Sequence, residues 1–314
     1  MKLSELVNLY NQLCAMDVNH IHSNIARDTN KIAHLVDTNQ EVCQVHTSPV
    51  HQSISQIMDS VNHFGATVET LKKHLAELIL NAEEHWLAEA EKLYRNEMIH
   101  DEEEYILNRR VDIPHYEADV LLTRIRSHVD WRFPGLIIRP GLNEFPTTLV
   151  DSDPLYIVDQ SLEMLSPFLS CFPEMYQNRV CKYVIQDIDN QNILSDIPNG
   201  QIGFCIAYNY FHFKPYSIIQ QYLREIYSKL REGGSLAITI NNCNSVNGVR
   251  LVENYYTCYT PVDSLLEFVS EIGYTQTYYK EVGPVIWLEL SKPGTLSSIR
   301  GGQSLTKILD IVNT

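Results

Sequence analysis

His212 is the one histidine between residues 130 and 314, eleven of the twelve lying earlier in the chain. An imidazole that titrates near neutrality can take a proton from a nucleophile. Asn209 and Tyr210 stand beside it at the end of the apolar run Gly203 to Tyr208, so one strand end would deliver an amide, a phenol and an imidazole together. These three are the candidate catalytic residues, suited to orienting a nucleophile or accepting its proton, and the bland alternative for His212 is a strand cap. A second pattern is His63, His74 and His85, eleven apart, which fall nearly in line on one helix face with a drift of about 20° per step. At a symmetry axis such a line could bind metal or anions or respond to pH. Within one helix the rings are about 16 Å apart, so one ion would need ligands from neighbouring subunits, and no metal site is expected within a single chain.

Other chemistries lack their parts. There is no GxxxxGK[ST], HExxH, GxSxG or intact GxGxxG, which removes the usual phosphate loop, zinc protease and serine hydrolase arrangements. Seven scattered cysteines without a CxxC pair fit buried reduced thiols. With 24 basic against 39 acidic side chains, a net charge of −15, a nucleic-acid partner is not expected. No apolar run approaches the roughly 20 residues of a bilayer span, and no basic-then-apolar signal opens the chain; a cytoplasmic protein is the expectation, with a virion as the alternative.

The elements that must position these groups divide the 314 residues in two. Residues 1–130 read as an all-α, coiled-coil-like oligomerisation region, with Ile54, Val61, Val68 and Leu75 on one heptad row and Ile57, Phe64, Leu71 and Leu78 on the other. An earlier helix carries Val18, Ile25 and Ile32 seven apart, and Pro49 separates the two. They could fold back as a hairpin or pair with other subunits. Ser53, Ser60, Thr67 and His74 flank the seam on one side, and Met58, Gly65, Lys72 and Ile79 on the other. Few charges are there to specify a parallel dimer, and Met58 and Ile79 widen the stripe, which favours a trimer or a multi-helix bundle. Residues 131–291 alternate strands (Gly135 to Ile138, Leu155 to Val158, Tyr183 to Ile185, Gly203 to Tyr208, Ser235 to Ile240, Val285 to Leu290) with helices (Ser161 to Phe172, Ile218 to Leu230, Val262 to Ile272). That alternation predicts a doubly wound α/β domain with a mostly parallel sheet, its ligand site beyond the carboxyl strand ends. Residues 292–314 read as a tail with a short amphipathic helix.

The motifs of this second domain resemble, in order, those of the class I methyltransferases that use S-adenosylmethionine. Leu155-Tyr-Ile-Val-Asp159-Gln160-Ser161 looks like the family's second strand and its acidic end, Val184-Ile-Gln-Asp187-Ile188 like the end of the third, Leu230-Arg-Glu-Gly233-Gly234-Ser like the turn into the fifth, and Ser270-Glu-Ile-Gly273-Tyr274 like the turn before the last hairpin. The resemblance implies that Asp159, with Gln160 beside it, accepts hydrogen bonds from a ribose diol, and that Asp187 and Ile188 read an adenine. Leu136 to Phe145 aligns with the glycine-rich first loop; Gly141 keeps the middle glycine, Arg139 replaces the first and Asn143 the third. Glycine serves there because a Cβ obstructs close approach and φ can be positive, whereas Arg139 brings bulk and a cation near a sulfonium. Ala207 to His212 follows where the family contacts substrate, without the Asp-Pro-Pro-Tyr or Pro-Cys signatures of nucleic-acid methylation. Three readings follow. One is a methyltransferase for a small molecule or a protein, assembled by its N-terminal helices; another is a non-catalytic assembly protein, for example a virion component joined to other subunits, that keeps the fold; the third is a binder of another adenine-containing ligand that retains Asp159 and Asp187 and has lost the methyl-donor pocket.

Overall fold

The computed structural model describes residues 2–38, 48–98, 113, 115–130, 132–139, 152–160, 165, 168–170, 172–185 and 192–294. They form two compact units, 1–82 and 83–314, with the boundary inside one long helix.

In the first unit, α1 (Leu3–Cys14) and α2 (Val18–Thr38) accompany the start of α3 (Ser48–Leu93). α2 and α3 fold back on each other as a hairpin. Val18 lies against Gly65, where an added Cβ would stand 3.3 Å from its Cγ1. His22 Nε2 and Asn62 Oδ1 are 2.9 Å apart, Thr29 Oγ1 lies 3.7 Å from Met58 Sδ, and His51 pairs with Asp37 at 2.9 Å, so the two helices run antiparallel. One heptad row therefore turns inward: Val68 is buried and Ile54, Val61 and Leu75 are half-buried, together with Met58 and Ile79. The other row, Ile57, Phe64, Leu71 and Leu78, stays 45 to 47% exposed. His63, His74 and His85 are exposed. Among the described residues no group of three His, Cys, Asp or Glu could hold a metal ion, and no helix is long and apolar enough to cross a membrane.

The second unit begins with the end of α3, whose Ala90 joins Tyr94, in the π-helical turn Tyr94–Met98, within the core against the sheet. Tyr259 donates to Glu83 at 2.7 Å and Ser217 to Glu91, so this last part of the helix is bound to residues far along the chain. Helix α4 (His115–His128) precedes β1 (Gly135–Ile138) and β2 (Leu155–Asp159). A one-turn helix α5 (Glu174–Gln177), β3 (Val180–Val184), β4 (Ile202–Ala207), α6 (Tyr216–Lys229), β5 (Leu230–Asn241), α7 (Val246–Glu253), α8 (Val262–Ile272), β6 (Thr275–Val282) and β7 (Val285–Ser291) complete it. The strand order is β3-β2-β1-β4-β5-β7-β6; the pairings from β3 to β5 are parallel, and β7 is antiparallel to both its neighbours. Successive strand residues face opposite sides: Leu136 and Ile138 enter one core cluster with α6 and α8, while Ile137 enters the other with Leu121 and Ile125 of α4. Both faces are covered, which is why the inner strands read as unbroken apolar runs.

α4 is tied to the sheet by a buried ion cluster. Arg124 Nε and Nη2 each donate to Glu289 at 2.8 Å, His128 Nε2 lies 3.0 Å from the same carboxylate, and Trp287 Nε1 donates to it at 2.9 Å. The Arg124 guanidinium also lies 3.5 Å from the centre of the Tyr278 ring.

Edge and polar elements depart from the sequence expectations. β6, Thr-Gln-Thr-Tyr-Tyr-Lys-Glu-Val, is a partly exposed edge strand whose charged and hydroxylated side chains hide its alternation. β3 starts at Val180, three residues before the expected Tyr183, because only β2 pairs with it and its side chains are largely wet. The helix expected over Ser161 to Phe172 lies mostly outside the described residues. At Gly248, in the first turn of α7, an added Cβ would stand 1.9 Å from the Asn242 carbonyl oxygen. Gly248→Ala is therefore expected to destabilise the protein by on the order of 3 kcal/mol, read as a lower chemical-denaturation midpoint; an unchanged midpoint would contradict this packing.

Candidate functional site

The strand order reverses between β1 and β4, and in open α/β sheets ligands bind beyond the carboxyl ends of the strands at such a reversal. Ile138 pairs with Val158 and Ile137 with Ile206, so Asp159, the last residue of β2, is level with Arg139 just past β1, and Asn209, past the end of β4, lies one residue beyond that level; the three gather at the ends of three neighbouring strands. Two of them leave their strands in the left-handed region, Arg139 with φ 47° and Asn209 with φ 51°, a conformation costing a non-glycine residue about 1 kcal/mol or more. All three are buried: Asp159 at 1%, Arg139 at 4% and Asn209 at 6% exposure.

The backbone fixes this group. Arg139 N–H donates to the Val158 carbonyl at 2.8 Å and Ile185 N–H to that of Asp159 at 2.9 Å. Asn209 N–H donates to Thr239 Oγ1 at 2.8 Å, so a β5 hydroxyl holds the turn after β4. The Asn209 side-chain oxygen and nitrogen are both buried and have no partner among the described residues. A buried amide without partners is costly, and here it stands just past the carboxyl end of β4.

The other two candidate catalytic side chains are enclosed by protein. Tyr210 Oη lies 2.6 Å from Tyr222 Oη, with the rings perpendicular. His212 is wholly buried, neither ring nitrogen has a partner among the described residues, and its carbonyl accepts from Cys258 N–H at 2.7 Å. An imidazole near neutrality was the expectation; burial disfavours its charged form and lowers its pKa to about 3. His212 is a neutral, poorly basic group at physiological pH. Asn209 and His212 both combine burial with unmet hydrogen-bonding capacity among the described residues, and of the two it is the Asn209 amide that stands just past a strand end beside Arg139 and Asp159.

Lys214 and Tyr94 were not legible as members of this region. Lys214 is fully buried, donates to Tyr94 Oη at 2.6 Å, and lies 4.6 and 4.8 Å from the ring centres of Tyr94 and Tyr210. Two aromatic faces and a phenol oxygen thus stabilise a buried ammonium. Gln160 follows Asp159 in a half-buried bend. Gly141, Asn143, Asp187 and Ile188 lie outside the described residues.

A seven-stranded sheet ordered 3-2-1-4-5-7-6, with strand 7 alone reversed, is the class I methyltransferase fold, and Asp159 ends its second strand. No family model matches the sequence, and no curated protein matches it. Among solved structures, the chain is similar to the cyclase SpnF (14% identity, 57% of this chain and 82% of that one, TM-score 0.45). It is also similar to an S-adenosylmethionine-dependent methyltransferase from Mesorhizobium loti (8% identity, 54% and 96%, TM-score 0.43). A third is the geranyl diphosphate C-methyltransferase from Streptomyces coelicolor (9% identity, 57% and 81%, TM-score 0.45).

Proposed function

We propose that the α/β unit binds an S-adenosyl ligand beyond the carboxyl ends of β1 and β4 and is of methyltransferase type, with a small molecule or a protein as the methyl acceptor. The observation that supports this reading is the group Asp159, Arg139 and Asn209, in which two non-glycine residues hold left-handed turns and one has an unpartnered buried amide. Strain and unmet hydrogen bonds concentrated at one place are characteristic of ligand sites. Asp159 offers two acceptors at the depth of a vicinal diol, and the Asn209 amide one donor and one acceptor face for the reacting end. When bound, S-adenosylmethionine would supply an electrophilic methyl group; the protein's part is to hold the acceptor in line, and positioning alone supplies much of the rate.

Titration calorimetry of the full chain with S-adenosylhomocysteine is expected to give saturable binding, weakened tenfold to a hundredfold by Asp159→Ala, since hydrogen bonds to a charged acceptor contribute about 1.5–3 kcal/mol each. Absence of heat at millimolar ligand would refute the proposal. A second reading, a non-catalytic assembly protein such as a virion component, draws on Arg139, a buried cation where a sulfonium would sit. It requires that neither adenosyl ligand binds and that purified particles contain the chain in stoichiometric amounts.

A further inference from the structure

One heptad row of α3 stays nearly half exposed among the described residues. Ile57, Phe64, Leu71 and Leu78 recur every seven residues along about 30 Å of helix, and exposed Ile21, Ile32 and Leu35 extend the apolar surface onto α2. Between Ile21 and Ile25 of α2 and Ile57, Val61 and Phe64 of α3 runs an open groove of about 510 Å³. Leu71 and Leu78 continue the row past Gly65, where α2 begins at Val18, so each hairpin carries a groove on one half and projecting leucines on the other. Apolar surface of this extent marks an interaction site.

Beside the row the hydroxyls are satisfied within the helix, while His74 is an exposed polar side chain on the same border. Ser53, Ser60, Thr67 and Thr70 each donate their hydroxyl to the carbonyl four residues earlier, at 2.9, 2.7, 2.9 and 2.8 Å, so covering them strands no donor. Charge points the same way. Residues 1–82 hold 5 basic and 8 acidic side chains, a net of −3 within a chain of −15, so two copies repel least if they meet through this unit.

We propose that the face is covered by a second copy of the same hairpin, antiparallel to the first, forming a four-helix dimer interface. A two-fold axis passing between Thr67 and Val68 sets Phe64 opposite Leu71 of the other copy and Ile57 opposite its Leu78, which places each copy's projecting leucines in the other's groove. Such a contact is self-complementary and closed, and it does not depend on the ligand proposal, since it lies wholly within residues 1–82.

Sedimentation equilibrium of the full chain tests this. The expected mass is twice the chain's 36.2 kDa. Leu71→Glu and Phe64→Lys, both at positions exposed in the single hairpin, are each expected to give monomers with unchanged helical circular dichroism. Mixing the two variants should restore a dimer, because the new glutamate of one copy then faces the new lysine of the other. A monomeric native chain, a trimer, or a dimer indifferent to either substitution overturns the proposal. Failure of the mixture to recover overturns the antiparallel register.

Discussion

Arg139→Gly is expected to raise the affinity for S-adenosylmethionine tenfold or more while changing that for S-adenosylhomocysteine much less. The native side chain is a permanent cation, 4% exposed, on a turn with φ 47° beside Asp159. Two like charges about 6 Å apart at an effective dielectric of about 20 repel by about 3 kcal/mol. Even with half of that offset by the Asp159 carboxylate, about 1.4 kcal/mol remains, a factor of about ten. S-adenosylhomocysteine lacks the sulfonium charge, so the native protein should prefer it and the variant should lose the preference. Glycine also adopts φ 47° without strain, which offsets part of the cost of leaving the buried Asp159 carboxylate without the neighbouring cation. The check is the ratio of the two dissociation constants in native and variant protein; an unchanged ratio would mean that Arg139 does not face the reacting end of the ligand.

The second large effect is on stability. Glu289→Gln is expected to cost on the order of 3 kcal/mol, because it removes the counter-charge of Arg124, which is 1% exposed. Burial by itself would raise the Glu289 pKa, but the hydrogen bonds and positive charges of His128 and Arg124 outweigh it and hold the carboxyl at about 2. The folded pKa is below the ordinary 4.5, so the stabilisation is complete above that pH and fades as pH falls from there toward 2. Denaturant titrations from pH 7 to 2 should therefore show a steeper acid loss for the native chain than for Glu289→Gln. Replacing both partners, as Arg124→Met with Glu289→Leu, should recover much of the loss, since apolar groups of similar volume relieve the uncompensated charge. A double variant no better than the single one would contradict that explanation.

What could be read from sequence follows the range of the interactions involved. β1, β2 and β4 were legible because strands buried on both faces are continuous apolar runs, and Asp159 because it closes one of them. The left-handed turn at Asn209 left no signal, and that at Arg139 only its place at the first glycine of the resembled loop, since neither residue is glycine. Long-range polar partners were equally hidden. Arg124 and Glu289 are 165 residues apart and Tyr94 and Lys214 are 120 apart, and each looks like an ordinary surface residue until the sheet brings it to its partner. The heptads of residues 54 to 78 were plain, but a periodic row does not reveal whether its partner is the same chain. Here one row is buried or half-buried and the other, among the described residues, stays 45 to 47% exposed.

Hydrogen exchange of the full chain with and without millimolar S-adenosylhomocysteine tests the central claim most directly. The account predicts slowed exchange in the peptides that end β1, β2 and β4, covering 135–139, 155–160 and 203–212, with residues 2–38 unaffected. Unchanged exchange in all three peptides would contradict a ligand site at these strand ends.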